Sequence, residues 1–259
     1  MTTDFGLKDP YVAEMKAVII SICPEAQIID VTHNIEKFDV REGAYILSCI
    51  VPYFPANTIH IAVVDPGVGS KRRALVIQTK QGFLIGPDNG LLSLTAKQQE
   101  VKTIQELTNK QLMLPQVSST FHGRDIFAAT AAHLANGVLP NEFGNDVKDI
   151  MIPKFAKVFK DKEIITGEVL HIDDFGNIIT NIVEKDVQNL RQTTLQIEFP
   201  HRKTQAFFSK TYDNVKPKKV VTFLGSQNYF EIAINKGNAA KQLKVRSGDK
   251  IKITSINKP

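Results

Sequence analysis

The fold is decided by the stretch Ile59-His60-Ile61-Ala62-Val63-Val64-Asp65-Pro66-Gly67-Val68-Gly69. Its apolar run ends at Asp65, and the Pro-Gly pair that follows must turn the chain. A short apolar run between turn signals is typical of a strand in a sheet core. Open α/β sheets bind their ligands at the edge where such strands end. The stretch therefore predicts a strand over 58–64, with the Asp65 carboxylate at that edge.

Around this strand, helix-like and strand-like segments alternate from residue 9 to about 140, which predicts a sheet covered by helices. The predicted helices run from Asp9-Pro10 to Pro24, from Asp39 to Pro52 and from Asp125 to Asn136. The predicted strands lie over 27–31, 58–64, 74–78 and 83–85. His122 directly precedes the third helix, so its imidazole is expected at the edge of the sheet.

After residue 155 the pattern changes to short β-type runs separated by turns, which predicts a small antiparallel barrel or sandwich. The runs cover 164–172, 178–183, 194–199, 220–224, 229–234 and 251–255. We therefore expect two domains, an α/β domain over 1–152 and a β domain over 160–259. The boundary is placed between Val147 and Lys162, where Pro153 and several lysines interrupt both patterns.

Composition narrows the functional classes. The chain has 259 residues, 42% of them hydrophobic, a net charge of +5 and a pI of about 9.0. Its lysines, as in the stretch 216–219, are not interleaved with aromatic residues, which disfavours nucleic-acid binding. Two cysteines in apolar stretches, Cys23 and Cys49, favour reduced thiols. Because the sequence has neither a bilayer-spanning run nor a signal-peptide core, we expect a soluble cytoplasmic protein.

Three side chains suggest water activation. A carboxylate such as Asp65 accepts a proton from water, and Arg72, seven residues later, can stabilise the resulting hydroxide. His122 can orient the water or take its proton. Spacing alone also fits a local turn bond for Asp65 and a solvated charge for Arg72. The segment 67–69 lacks the third glycine and the Lys-Ser/Thr ending of a phosphate loop, so a tight turn is expected there.

A metal site is a weaker interpretation. The side chains of Asp4, Asp65, Asp88 and His122 could be ligands, but no pair of them has the spacing that makes a metal site specific.

Several ordered motifs together resemble the S-adenosyl-L-methionine (SAM) hydroxide adenosyltransferase family, the adenosine-forming SAM hydrolases related to fluorinase and chlorinase. They span nearly the whole chain and are Thr2-Thr3-Asp4-Phe5-Gly6, Asp9-Pro10-Tyr11-Val12, Asp30-Val31-Thr32-His33, Val64-Asp65-Pro66-Gly67-Val68-Gly69, Pro87-Asp88-Asn89-Gly90, Ser119-Thr120-Phe121-His122-Gly123-Arg124-Asp125, Asp173-Asp174-Phe175-Gly176-Asn177 and Gly225-Ser226 to Ala239-Ala240.

The resemblance implies an N-terminal α/β domain, a C-terminal β-barrel and a homotrimer whose active sites lie between subunits. By this resemblance, Asp65, Arg72 and His122 correspond to the family's water-activating triad. Arg72 rather than Arg73 has the family's spacing from the aspartate. It implies that Asp4 binds the ribose hydroxyls. The other implied substrate contacts are Asn89 and Gly123, Phe175 and Asn177 at adenine, Ser226 with Asp173 or Asp174 at the methionine end, and Tyr229, Asn238 and Ala239.

The implied reaction is hydrolysis of SAM to adenosine and methionine. The leaving thioether is neutral, so its departure needs no general acid. The resemblance implies no metal or organic cofactor. Fluorinase has Tyr-Pro and Tyr-Ser where this chain has Asp65-Pro66 and His122-Gly123, and it has an inserted loop where 78–84 is a short turn. Halide chemistry is therefore not expected. Relatives have a hydrophobic strand before the first motif, whereas here the first strand is expected to be short or lost. The alternatives are a non-catalytic SAM- or nucleoside-binding module and a metal-dependent hydrolase.

Overall fold

The computed structural model describes residues 1–190 and 193–256. The chain divides into two compact units, Met1–Pro153 and Lys154–Pro259. The predicted second domain extends to 259, so its residues 191–192 and 257–259 lie outside the described ranges. Within the described residues, no helix is both long and apolar enough to cross a membrane.

The first unit is a six-stranded sheet with helices, as the alternating sequence pattern predicts. Its strands are β1 Thr2–Thr3, β2 Thr58–Val63, β3 Ala74–Thr79, β4 Gly82–Pro87, β5 Val101–Leu107 and β6 Gly144–Asp146. Its helices are α1 Tyr11–Ile22, α2 Val40–Ile50, α3 Ser93–Gln98 and α4 Ala129–Ala135. Short 3₁₀ turns cover Val51–Tyr53, Lys110–Leu112 and Pro140–Glu142. The strand order is β1-β2-β4-β3-β5-β6, in which β1–β2 and β2–β4 are parallel.

Helices cover both faces of this sheet because β2 is apolar on both sides. Ile61 and Val63 contribute to a cluster with Met15 of α1. The alternate residue Ala62 contributes to a second cluster with Leu47 of α2. Strands buried on both faces lose the polar alternation of a half-exposed strand, which explains the continuous apolar run.

The helix predictions are confirmed, and their end signals act as expected. Pro10 directly precedes α1, and the α2 N-cap Asp39 accepts the backbone N–H of Glu42 at 3.0 Å. The third predicted helix begins earlier than expected, as a π-helical turn over Gly123–Ala128 that leads into α4.

The strand prediction over 27–31 is wrong. The segment runs beside the first residues, where Val31 N–H donates to the Met1 carbonyl and Thr2 forms a single bridge with Thr32. Its partner β1 has only two residues, so no longer ladder forms, and Ile29 stays exposed. The first strand is therefore short, as expected, but present. Sequence reasoning missed β5 and β6.

The second unit is a barrel, which confirms the predicted class. Its strands are β7 Phe159–Asp161, β8 Ile164–Ile172, β9 Ile178–Val183, β10 Thr194–Phe199, β11 Arg202–Phe208, β12 Val220–Leu224, β13 Tyr229–Ile234 and β14 Lys250–Ser255. Short helices are α5 Glu184–Val187 and α6 Ala239–Leu243, with 3₁₀ turns at Lys154–Ala156, Gln188–Leu190 and Tyr212–Asn214. The order is β14-β10-β11-β12-β13-β9-β8-β7, and pairing of β14 with β8 closes a ring of seven described strands.

Most of the barrel pairs are antiparallel, but β11–β12 is parallel. Sequence reasoning missed β7 and β11. Strand β11 alternates exposed polar residues such as Lys203 with buried ones such as Ala206, so it has no continuous apolar run. The barrel interior is filled by inward-facing apolar side chains, including Val169, Ile197, Phe230 and Ile251.

Candidate active site

Asp65, Arg72 and His122 form one hydrogen-bonded cluster in the first unit. Nη2 of Arg72 donates to Oδ2 of Asp65 at 2.5 Å, and Nε lies 3.0 and 3.1 Å from the two carboxylate oxygens. The same Nη2 contacts Nδ1 of His122 at 2.8 Å. The side chains of Arg72 and Asp65 are only 9% and 5% exposed, so water screens this charge pair weakly.

The local fold explains how Arg72 and His122, 50 positions apart in the sequence, come together. Asp65 follows β2, while Arg72 lies in the connection to β3. Gly69, at φ +76°, brings that connection against the loop of His122: a Cβ on Gly69 would lie 2.3 Å from the carbonyl oxygen of Ser119. Glycine is required here both for its backbone angle and for this close approach. The predicted tight turn over 67–69 is confirmed by the bond from Ser70 N–H to the Gly67 carbonyl.

The His122 loop is held from behind by Asp125, a fully buried residue of the π-helical turn. Its Oδ2 accepts Ser118 N–H at 2.7 Å, and its Oδ1 accepts Nε of Arg124 at 2.6 Å. Arg124 also pairs with Glu14 of α1 at 2.6 Å. π-helical turns are frequent at functional sites because they displace the backbone locally.

The environment keeps His122 neutral. Burial lowers its pKa, the positive charge of Arg72 lowers it further, and the charges of Asp65 and Asp125 oppose the change. Arginine can only donate, so Nδ1 of His122 is the acceptor and the ring proton lies on Nε2. The cluster therefore offers an incoming water two complementary groups, a carboxylate acceptor on Asp65 and an N–H donor on His122.

Asp65 and His122 line a cavity of about 560 Å³ in the first unit, together with Asp4 and Gly123. Asp4 follows β1, and parallel β1 and β2 end at the same edge of the sheet. Its Oδ2 accepts the backbone N–H of Phe38 at 2.9 Å, and its backbone oxygen accepts Nζ of Lys37. Arg72 lies behind Asp65 and His122 and contacts both of them.

Sequence reasoning assigned no role to most of the remaining cavity wall. Three rings pack in T-shaped or tilted pairs at centroid distances of 5.2 to 5.8 Å and form its apolar side: Phe5, Tyr11 and Phe121. Each belongs to a motif quoted above, which is the signal that could have found them. The other unassigned lining residues are Asp9, Glu14, Lys37, Phe38, Val63, Val68, Ser118, Thr120 and Arg124.

Asn89 does not line this cavity. Its Nδ2 donates to the Val64 carbonyl at 2.8 Å, and its Oδ1 accepts Leu91 N–H at 3.1 Å. Both polar atoms of the Asn89 side-chain amide therefore bond to backbone groups. This contact holds the end of β2 directly before Asp65, which favours a supporting role over a direct substrate contact.

In the second unit, the turn 173–177 connects β8 with β9. Asp173 accepts both the backbone N–H and Nδ2 of Asn177 at 2.8 Å, whereas Asp174 is exposed. Gly176, at φ +83°, lies against Asn238, where an added Cβ would come within 2.0 Å of Cγ. Its carbonyl accepts Ala240 N–H at 2.9 Å. The fold thus brings this turn against the segment 238–240.

The other predicted contacts of this unit differ in exposure. Phe175 is 79% exposed, Ser226 is exposed and Ala239 is fully buried. Tyr229 is 2% exposed within the barrel. Its burial favours packing over ligand contact.

Sequence reasoning missed two titratable neighbours of Asp173. Burial, and then the charge of Asp173, raises the pKa of Glu231 to about 7. Burial also raises the pKa of Tyr212, as do the charges of Glu231 and Asp173, while Nδ2 of Asn177 contacts the Tyr212 hydroxyl at 3.3 Å. Among the described residues, no group of three or more His, Cys, Asp or Glu side chains is arranged to hold a metal ion.

The fold and the site define a two-domain class of protein, in which an α/β unit with a hydrogen-bonded Asp–Arg–His cluster at its strand ends is followed by a closed barrel. The sequence model of the SAM hydroxide adenosyltransferase N-terminal domain matches residues 1–144, and that of the C-terminal domain matches 167–252. The chain belongs to this family.

Curated relatives and a solved structure agree with this membership. (R)-S-adenosyl-L-methionine hydrolases of Salinispora arenicola and Methanocaldococcus jannaschii are 38% and 36% identical to this chain, each over 98% of it and over 96% and 94% of their own lengths. A fluorinase from Actinoplanes is 27% identical over 97% of this chain and 95% of its own. The crystal structure of an uncharacterized conserved protein from Thermotoga maritima superposes with a TM-score of 0.87 at 36% identity, covering 98% of both chains.

Proposed function

We propose that this protein hydrolyses S-adenosyl-L-methionine to adenosine and L-methionine. The observation that carries the proposal is the hydrogen-bonded Asp65–Arg72–His122 cluster, of which Asp65 and His122 line one cavity with Asp4, in a chain of the SAM hydroxide adenosyltransferase family. The curated hydrolases that match nearly the full chain support the same reaction.

The proposed chemistry is a displacement at C5′ of the ribose. The water oxygen forms a bond to C5′ while the C5′–S bond breaks, and the electron pair of that bond goes to sulfur. The sulfonium becomes the neutral thioether of methionine, so no acid is needed to assist departure. The proton released from water goes to Asp65 and then to solvent.

Each residue of the cluster has a distinct role in this proposal. Asp65 accepts the water proton, and Nε2–H of His122 directs the water oxygen toward C5′. Arg72 holds both partners and stabilises the negative charge that develops on the oxygen. Because opposite charges on hydroxide and sulfonium cancel at the transition state, a dry cavity removes hydration that would otherwise favour the reactants.

We assign the substrate contacts as the family resemblance implies. Asp4 binds the ribose hydroxyls, with Gly123 close by. In the second unit, Phe175, Asn177, Asn238 and Ala239 contact adenine. Asp173 with Ser226 binds the methionine end, and Asp173 is preferred to Asp174 because its carboxylate is already oriented by Asn177.

We further propose a homotrimer in which the α/β domain of one subunit and the barrel of its neighbour complete each site. The exposed aromatic rings of Phe38 at the cavity and Phe175 on the barrel support this assembly, since large apolar side chains left in water often mark interfaces. Cys23 is buried among apolar side chains, which favours a reduced thiol and a reducing compartment, so we propose a cytosolic enzyme.

The test is incubation of the purified protein with SAM, in chelator and without added halide, with adenosine and methionine followed by chromatography. We expect both products in equal amounts. Asp65→Asn keeps the size of the side chain but removes the proton acceptor, so turnover is expected to be lost. Melting temperature and SAM binding by calorimetry control for folding and for an intact pocket.

Two outcomes would replace the proposal. SAM binding without turnover in the wild type would identify a non-catalytic binding module. Turnover that stops in chelator and returns with a divalent cation would identify a metal-dependent hydrolase.

A further inference from the structure

Asp4 is held by more than its strand. It directly follows β1, whose ladder with β2 covers only the two pairs Thr2–Ala62 and Thr3–Val63. A ladder this short fixes a side chain poorly, whereas a binding carboxylate must be held to within about 0.5 Å. Other contacts must therefore set the position of Asp4.

The residue before Asp4 makes such a contact. Oγ1 of Thr3 lies 2.8 Å from Nδ1 of His33 and accepts the backbone N–H of Phe5 at 3.2 Å. Thr3 is fully buried and His33 is 3% exposed. The Thr3 hydroxyl therefore contacts the His33 ring, 30 residues away, and also the backbone of Phe5, the residue that follows Asp4.

On the opposite side of the His33 imidazole, contacts lead through Asp30 to helix α1. Nε2 of His33 lies 3.0 Å from Oδ1 of Asp30 in a close contact that is not aligned as a hydrogen bond, and Oδ2 of Asp30 accepts Nζ of Lys16 in α1 at 2.5 Å. Burial opposes the charge on Asp30, but its contacts with Lys16 and His33 outweigh that effect and lower its pKa. Thr3 is thus linked through the ring and the carboxylate to a packed helix.

Backbone bonds from the same loop flank Asp4. Thr3 N–H donates to the Thr32 carbonyl at 3.0 Å, and Gly6 N–H donates to the His33 carbonyl at 2.7 Å. The loop of His33 therefore fixes the chain immediately before and after Asp4. With Oδ2 of Asp4 bonded to Phe38 N–H, no donor of the described residues contacts Oδ1, which is open to a ligand.

The Thr3 hydroxyl has the capacity for both of its contacts. Oγ1 accepts Phe5 N–H and keeps one proton and one further lone pair, so it can bond Nδ1 of His33 either as donor or as acceptor. The contact between Thr3 and His33 is therefore available with either ring nitrogen protonated.

We propose that Thr3 and His33 are positioning residues, which fix the Asp4 carboxylate for binding of a ribose diol. The proposal rests on the SAM-hydrolase function proposed above and deepens it. Neither side chain touches substrate. Their contribution is expected in the affinity for the nucleoside and far less in the rate of the chemical step.

The central experiment compares Thr3→Val with Thr3→Ser. Valine keeps the shape of threonine but removes the hydroxyl, and serine keeps the hydroxyl. We expect Thr3→Val to raise KM for SAM and to weaken adenosine binding about tenfold, with kcat changed less than threefold. Thr3→Ser is expected to stay within about twofold of the wild type. Unchanged affinity in Thr3→Val, or equal losses in both variants, would overturn the proposal.

A double-mutant cycle tests whether the effect passes through Asp4. In an Asp4→Asn background, Thr3→Val is expected to change adenosine affinity by less than twofold, because the carboxylate that Thr3 positions is gone. The full tenfold loss in that background would show that Thr3 acts by another route and would sink the proposal.

A measurement on the wild type keeps the proposal testable if Thr3→Val fails to fold. Nitrogen NMR of the wild-type His33 ring is expected to show Nδ1 in a hydrogen bond; an Nδ1 without a hydrogen-bond partner overturns the proposal. Failure of the hydrolase function is recognised separately. A wild type that binds adenosine but does not cleave SAM refutes hydrolysis, while the adenosine measurements still decide the role of Thr3 and the NMR measurement still decides that of His33.

Discussion

Nη2 of Arg72 lies 2.8 Å from Nδ1 of His122, and this contact fixes which nitrogen of the imidazole carries the proton. Because the guanidinium can only donate, Nδ1 accepts and Nε2–H points away from Arg72. The same nitrogen of Arg72 is 2.5 Å from the Asp65 carboxylate. One arginine therefore orients both the acceptor and the donor of the proposed water site.

Replacing Arg72 by glutamine is expected to lower kcat by about 100-fold or more, the usual cost of removing a group that stabilises developing charge. The matched control is Arg73→Gln, because the Arg73 side chain pairs with Asp88 and Asp149 rather than with Asp65 and His122. We expect its kcat to stay within about threefold of the wild type. Steady-state kinetics with SAM checks both variants, and equal losses would contradict the role given to Arg72.

The acidic limit of activity is expected below pH 6.5, the ordinary pKa of histidine. Burial and then Arg72 lower the pKa of His122, so the ring stays neutral until the pH falls below that value. Protonation would add a second cation beside Arg72 and remove the acceptor at Nδ1. As the pH falls below 6.5 the unfolded chain binds this proton first, so the stability linked to His122 is full above pH 6.5 and declines below it.

NMR titration of the His122 ring checks this directly. Arg72→Gln removes one cause of the shift and is expected to raise the pKa of His122. An unchanged pKa in that variant would show that burial alone sets it.

Glu231→Gln is expected to change how stability depends on pH. The pKa of Glu231 is raised from 4.5 to about 7 by burial and by Asp173, so in the wild type the unfolded chain ionises first as the pH rises above 4.5. Stability is therefore lost between pH 4.5 and about 7, by on the order of 3 kcal/mol. Glutamine does not titrate, so the free energy of unfolding of Glu231→Gln is expected to vary less with pH across this window. Denaturant unfolding at pH 4.5 and 7.5 checks the difference, and parallel curves for the two proteins would contradict it.

Gly176→Ala is expected to destabilise the barrel and to abolish adenosine binding. Its φ of +83° disfavours a side chain, and the added Cβ would lie 2.0 Å from Cγ of Asn238. The control is Gly137→Ala, where φ is +91° but the Cβ would meet nothing within 4 Å. Backbone strain alone costs about 1 kcal/mol, so the control should lose about that much stability and Gly176→Ala clearly more. Thermal unfolding of both variants measures the difference.

Phe38→Ala is expected to raise KM for SAM about three- to tenfold with little effect on stability. The Phe38 side chain lines the cavity but is 69% exposed, so the fold gains little from burying it. Tyr53, which is 71% exposed and does not line the cavity, provides the matched alanine control. A similar KM for both variants would show that Phe38 does not contact substrate.

Much of the fold follows from local sequence signals. Pro10 and Asp39 mark helix starts, and the run that ends at Asp65 marks a core strand, because each signal acts within a few residues. The segment 27–31 shows where such reasoning fails. Its apolar pattern predicts a strand, but a strand also needs a partner, and β1 offers only two residues.

The candidate site likewise has features that the sequence predicts and features that it does not. The motifs indicate the chemistry of Asp65, Arg72 and His122, but no spacing reveals that one nitrogen of Arg72 contacts both of the others. Nor does spacing reveal that Asn89 is bonded to the backbone, because its partners are set by how two strand ends meet.

The amino-acid sequence alone predicts the two-part organisation, the starts of helices α1 and α2, the family and the three residues proposed to activate water. Those features depend on short-range patterns and on the order of motifs along the chain. The folded structure is needed for the tautomer of His122, the raised pKa of Glu231 and the Thr3–His33–Asp30 contacts beside Asp4. Each of these depends on burial and on distances between residues far apart in sequence, which exist only once the chain has folded.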